Sequence, residues 1–451
     1  MSEIIERINA IVWGWPMIIL LLGTHVYLTI LLRFPQRKMW TALKLSVKKD
    51  VGSKGDVSQF GALATSLAAT IGTGNIIGVA TAISLGGPGA VFWCWLTGIF
   101  GIATKYSEGL LAIKYRVTTS DGEMLGGPMY ALEKGLSMKW LAVLFCIFTA
   151  FAAFGIGNTV QANAICENLT LLFHASVSVE YLRVIIGIVL AALIGIVVLG
   201  GVKSIARICA AMVPFMAVFY IVGCIYILIQ NGAYIGRAIS LIFHEAFSLK
   251  SSLGGATGSA LMMAARFGIA RGLFSNESGM GSAPIVAAAA KTRNPVRQAL
   301  VSSTATFWDT VVICALTGLV IVSSIIAYPE IDITDGGILT KKAFGVIPYV
   351  GTPLLTFGIL TFAFSTILGW CYYGERAVEY LLGKRAILYY RILWILFIFF
   401  GCVMGLELVW NLADIMNALM TIPNLVSLLL LSGVLLRETR HYLWNRHLDD
   451  N

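Results

Sequence analysis

Four consecutive residues, Gly72-Thr73-Gly74-Asn75, interrupt the run FGALATSLAATIGTGNIIGVATAISLGG, whose other members are apolar or small. Two glycines around one residue weaken a helix, each by about 1 kcal/mol relative to alanine. One use of such residues is close packing on a neighbouring helix, for which Gly74 and Gly78 have the GxxxG spacing. The other is an unwound turn. Carbonyls ending the first half-helix can then coordinate a cation, and amides opening the second can bind a carboxylate. Backbone freed in this way is tolerated at membrane depth only beside protein or a polar cavity. Such a turn would satisfy both charges of an amino acid. Asn75 carries both a donor and an acceptor, so it serves equally as a cation ligand or as a tie to a neighbouring helix.

A second segment, GGATGSALMMAARFGIARGLFSNESGMGSAPIVAAAAK, is too long for one straight span and carries Arg266, Arg271 and Glu277 alongside Gly268, Gly272, Gly279, Gly281 and Pro284. Charges at this depth must face water or a partner. We therefore expect a second break near Phe267 to Gly272, with Ser275 to Ala290 as the following half-helix. Gln161, beside Gly155, Gly157 and Asn158, is expected to hydrogen-bond a substrate, a helix-to-helix bond being the alternative. Asp309 lies deep in an apolar run and needs a partner: Arg266, Arg271 or a proton. The eight cysteines are scattered singly, without CxxC or metal-ligand spacing, and read as small buried hydrophobes.

The elements that must position these residues are membrane helices. Of 451 residues 58% are hydrophobic and 12% charged, against roughly 45–50% and about 25% in soluble domains, which excludes a water-soluble fold. Runs of about 20 apolar residues occur at about 11–32, 59–85, 89–113, 141–165, 184–201, 206–230, 255–290, 298–326, 350–375, 391–410 and 412–436, which makes eleven. With the N-terminus outside, 23 of the 32 Lys and Arg fall in the inner loops and 6 in the outer ones, as the positive-inside rule requires. The C-terminus is then cytoplasmic. The net charge of +9 belongs to these loops and implies no nucleic acid. No cleavable signal peptide is expected.

With the first span set aside, spans 2 to 6 and 7 to 11 form two sets of five, each opening with its broken helix. An odd number per set inverts the second in the membrane, the pattern of an inverted-repeat transporter with a midplane site. The expected units are 1–54 (a peripheral helix and basic cytoplasmic loop), 55–254 and 255–436 (the two repeats) and 437–451 (a cytoplasmic tail). A membrane enzyme would need a nucleophile with its base or a metal cluster, and neither appears at depth. A channel does not need paired breaks.

SLAATIGTGNIIGVATAISLGGPGAVFW, RGLFSNESGMGSAPIVAAAA and FAFSTILGW resemble the alanine or glycine:cation symporter family, over about residues 55 to 435. That family is similar in fold to the bacterial leucine-type sodium symporters, whose first core helix unwinds at a GLGN-like stretch. The resemblance implies an all-α polytopic membrane protein of about eleven helices, with a leucine-transporter-like 5+5 inverted repeat after one extra helix. It implies symport of sodium, or in some members protons, with alanine, glycine or another small neutral amino acid across the cell membrane. No cofactor is implied beyond the coupling ion. The carboxylate is expected at the amides of Thr73 and Gly74, beside the Thr73 hydroxyl, and the ammonium at carbonyls around Ala69 and Thr70. Sodium is expected at the carbonyls of Ala68, Ile71 and Phe362 and the hydroxyls of Ser365 and Thr366, with Thr366 and Asn75 also facing substrate. Trp370, four residues after Thr366 and so on one helical face, is expected as a pocket wall. Phe267, Gly268 and Ile269 are expected to close its apolar side.

Overall fold

Backbone groups in a bilayer find no water and must be paired within their own segment, so the apolar runs fold as helices. The computed structural model describes residues 7–450 apart from 9–10, 49, 51–52, 174–177, 249–259, 335 and 405–406. Helix α1 is Trp15–Leu31. It is followed by a 3-10 turn at Pro35–Lys38 and α2, Met39–Val47, the stretch Pro35–Val47 lying at 64° to α1. The first repeat opens with α3, Gln59–Thr70, and α4, Ile77–Gly86, and continues with α5, Ala90–Lys114. A small hairpin pairs Val117–Thr118 with Met124–Leu125. The repeat ends with α6, Lys139–Phe173, α7, Val179–Leu199, and α8, Gly201–Gln230.

A connecting helix α9, Gly232–Phe247, leads to α10, Ala260–Asn276, and the short α11, Ala283–Ala287. Then come α12, Pro295–Ala327, α13, Gly336–Gly345, α14, Gly351–Leu382, α15, Ala386–Val403, α16, Glu407–Leu430, and α17, Ser432–Glu438. Among the described residues seven helices, α6, α7, α8, α12, α14, α15 and α16, are each long and apolar enough to cross a membrane. Adding α1, α5 and the two interrupted helices, α3–α4 and α10–α11, gives the eleven expected from sequence. Helices α9 and α13 lie in stretches that hydropathy leaves as loops.

Local chemistry sets the helix ends. Ser58 caps α3, its hydroxyl accepting from Gly61 N at 3.0 Å, and Asn294 caps α12, accepting from Arg297 N at 3.0 Å with Pro295 in the first turn. Helix α3 stops because Ile71 (ψ 88°) and the extended Gly72 (φ −131°, ψ −157°) leave the helical region; Thr73–Asn75 form one 3-10 turn before α4. Helices α6 and α12 each contain a π turn, at Ala153–Thr159 and Phe307–Cys314, a wide turn often found at functional sites.

The second interruption is not where the sequence placed it. Helix α10 runs on through Phe267–Gly272, and the chain unwinds only after Asn276, with Glu277, Gly279 and Gly281 at φ 54°, 90° and 86°. The half-helix expected over Ser275–Ala290 is reduced to α11. Gly268 and Gly272 are packing notches: a Cβ on Gly268 would lie 2.3 Å from Ala90 O, and one on Gly272 2.3 Å from Thr97 Oγ1. Their missing side chains bring α10 against α5, as small residues do between membrane helices.

Candidate functional site

The first break presents oxygens to α14. Thr366 Oγ1 lies 3.1 Å from Ala68 O and 3.4 Å from Ile71 O, while Ser365 Oγ lies 3.2 Å from Ala68 O and 2.9 Å from Phe362 O. The five oxygens are buried and neutral. Such spacings suit ligands of a hard cation held at about 2.4 Å, and carbonyl oxygens can replace the hydration shell of a monovalent ion. Two glycines make the approach possible. A Cβ on Gly72 would lie 2.6 Å from Thr366 Oγ1, and one on Gly369 would meet the Ala69 backbone at 2.7 Å. The residues expected from sequence to hold sodium are thus brought together from both ends of the chain. The Thr70 hydroxyl donates back to Ser66 O at 3.1 Å, one turn earlier in the same helix.

Gln161 follows the π turn of α6 and faces the break. Its Oε1 accepts from Thr73 N at 3.5 Å and its Nε2 donates to Ile156 O at 3.1 Å. The amide expected to meet a carboxylate therefore meets a side-chain oxygen, the same kind of acceptor. Asn75 is committed at both ends. Its Oδ1 accepts from Gly72 N at 2.9 Å, and its Nδ2 donates to Asp309 Oδ1 at 2.7 Å and Asp309 O at 3.2 Å. In this geometry Asn75 ties the break to α12. Asp309, fully buried, also accepts from Ser275 at 3.0 Å and Thr310 at 2.6 Å. Its partners are neutral donors, whereas Arg271 lies over the Phe274 ring and Arg266 over the Phe267 ring.

Helices α4 and α10 run side by side in opposite directions: Gly74 faces Ser275 Cα at 3.6 Å, and Gly86 faces Ala264 Cα at 3.1 Å. Phe267, Gly268 and Ile269 therefore lie about two turns along α10 from the break, with Gly268 against Ala90 and Trp93 of α5. The expectation that they close the pocket is corrected accordingly. It assumed that the glycines near 270 broke the helix.

The second break is built of charges that sequence reasoning left without roles. Glu108 of α5 accepts through Oε1 from Gly279 N and Gly281 N, both at 3.0 Å, and from Asn424 Nδ2 at 2.7 Å. Glu277 accepts from Trp370 Nε1 at 2.9 Å and from the Ser282 hydroxyl. Lys105 is 1% exposed; its Nζ has no hydrogen-bond partner among the described residues and lies in electrostatic reach of Glu108, Glu277 and Asp309. The available signal was Lys105 and Glu108 three residues apart in an apolar run, hence on one face of the helix.

Two helices, each interrupted at the start of a five-helix repeat and set against continuous ones, define an inverted-repeat secondary transporter. The chain belongs to the sodium:alanine symporter family, whose model matches residues 1–451. It is 50% identical over 448 residues to the sodium/alanine symporter AgcS of Methanococcus maripaludis, covering 98% of this chain and 97% of that one. It is 36% identical over 449 residues to the probable sodium/glutamine symporter GlnT of Bacillus subtilis, covering 98% and 91%. Among solved structures, MhsT in complex with L-phenylalanine matches with a TM-score of 0.62 at 16% identity, over 84% of this chain and 90% of that one, so the leucine-transporter-like fold is shared. The protein is a multi-pass membrane transporter and not an enzyme.

Proposed function

We propose that the protein carries a small neutral amino acid, alanine or glycine, into the cell together with sodium. The observation that carries this reading is the convergence of Ala68 O, Ile71 O, Ser365 Oγ and Thr366 Oγ1 beside the amide of Thr73. Sodium would sit among these oxygens and join α3 to α14. The substrate carboxylate would take the Thr73 and Gly74 amides, displacing Gln161 Oε1, and its ammonium the carbonyls near Ala69 and Thr70. Trp370 would form the floor of the pocket. A sodium/alanine symporter at 50% identity supports the same substrate, and the glutamine symporter at 36% marks how far substrates vary in the family. In this reading the N-terminus would lie outside and the C-terminal tail in the cytoplasm, with repeats at 55–254 and 255–436, whose boundary falls in residues 249–259, outside the described ones. Proton coupling is the second reading, kept by the buried carboxylates of Glu277 and Asp309.

Uptake of labelled alanine and glycine into proteoliposomes tests this directly. An inward sodium gradient should drive accumulation above equilibrium, and a pH gradient without sodium should not. Accumulation driven by the pH gradient alone would replace sodium with protons, and equilibration without accumulation would replace symport with facilitated passage.

A further inference from the structure

We infer that Glu277 sets the size selectivity of the transporter by holding the indole of Trp370; this rests on the transport reading above. Trp370 stands one helical turn beyond the cation hydroxyl of Thr366 and is 1% exposed. Its ring is held from three directions. Gly157, in the π turn of α6, lies so close that a Cβ there would sit 2.2 Å from Trp370 Cβ. Tyr373 meets the indole edge-on, with centroids 5.6 Å apart. Glu277 Oε1 accepts its N–H at 2.9 Å. Only the last contact is directional, and a buried indole N–H needs such an acceptor.

Glu277 is itself held in place. It has the left-handed φ of 54°, which non-glycine residues keep only where their surroundings impose it. Its other carboxylate oxygen accepts from Ser282, closing the 277–282 turn on itself. The freed amides of this break are not what the other oxygen of Glu277 caps, because Glu108 takes those of Gly279 and Gly281. Glu277 reaches across to α14 instead. It is a positioning residue that acts through Trp370: with the ring fixed, the space next to Thr366 is fixed. A pocket of fixed depth rejects each added methylene by about 10- to 200-fold.

The test is competition uptake with the full-length protein in proteoliposomes, using glycine, alanine, 2-aminobutyrate, valine and leucine against the labelled amino acid that the wild type prefers. The readout is the ratio of half-inhibitory concentrations between the preferred amino acid and larger ones. Glu277→Ala should lower that ratio about tenfold, while Glu277→Gln, whose amide can accept from the indole and donate to Ser282, should hold it within about twofold. Glu277→Ala combined with Trp370→Phe should go no further than Trp370→Phe alone. An unchanged ratio in Glu277→Ala, a glutamine variant as relaxed as the alanine variant, or additive effects in the double variant would overturn the inference. Should Glu277→Ala not fold, Ser282→Ala, which frees the carboxylate at its other end, should lower the ratio in the same direction, and no change there overturns it equally. A wild type that prefers another amino acid would refute the alanine reading and leave this ratio measurable.

Discussion

The two helix breaks solve the same problem in opposite ways. At the first, around Ile71 to Asn75, exposed backbone meets neutral oxygens of Ser365, Thr366 and Gln161, and carbonyls remain for something outside the chain. At the second, around Glu277 to Ser282, the exposed amides of Gly279 and Gly281 are already taken by the carboxylate of Glu108. One break keeps its valence open and the other closes it with the protein's own charges. Symmetry of fold therefore does not imply symmetry of role.

The contrast is sharpest when each break loses a side chain. Glu108→Ala should leave three buried N–H groups without their acceptor and take away one of the three carboxylates in electrostatic reach of Lys105, and a thermal melt should show a loss of about 3 kcal/mol or more. Thr366→Ala should scarcely move the melt yet raise the sodium concentration for half-maximal uptake about tenfold, near 1.4 kcal/mol of ion binding. If the two variants exchanged phenotypes, the roles given to the breaks would be reversed. A smaller effect separates the helix from the pocket: Phe267→Ala should change the alanine half-saturation by less than about twofold. A selectivity change would bring that part of α10 back into the site.

The smallest effect is expected at the rim, where Asp121 and Lys384 pair at 2.6 Å in solvent. The hydrogen bond from Lys384 holds the Asp121 carboxyl below its ordinary value, and the same bond raises Lys384. The acid's contribution is present above its unfolded value and lost as pH falls through the lowered one. That of the lysine is present below its unfolded value and lost as pH rises through the raised one. Melts of Asp121→Asn and wild type should therefore coincide within error and show no rim-dependent change near neutral pH.

Much of this was legible in the sequence. Gly72 to Asn75 stood out because polar and glycine residues interrupted an apolar run, and the fold resemblance then located the partners Ser365 and Thr366. The second break was placed about ten residues too early because Gly268 and Gly272 looked like the weak point. A glycine in a helix can break it or let a neighbour in, and what decides is the facing backbone, here Ala90 and Cys94 of α5. The turn at Gly279 and Gly281 requires left-handed backbone, which no pattern of hydropathy reports. Glu108 could be noticed but not assigned, since its partners lie 171, 173 and 316 residues away along the chain.

Helix α1, set aside in the repeat count, packs along α5, where the hydroxyl of Thr104 meets His25 Nδ1 at 2.8 Å. A Cβ on Gly279 would come within 2.7 Å of Leu21 and 3.5 Å of the His25 ring. The helix is therefore insulation: it stands between the hydrocarbon tails and the charges clustered behind it. A version trimmed to its ten-helix engine would uncover Gly279 and, behind it, the Glu108 carboxylate that holds its amide, so what looks like an accessory is part of the electrical design.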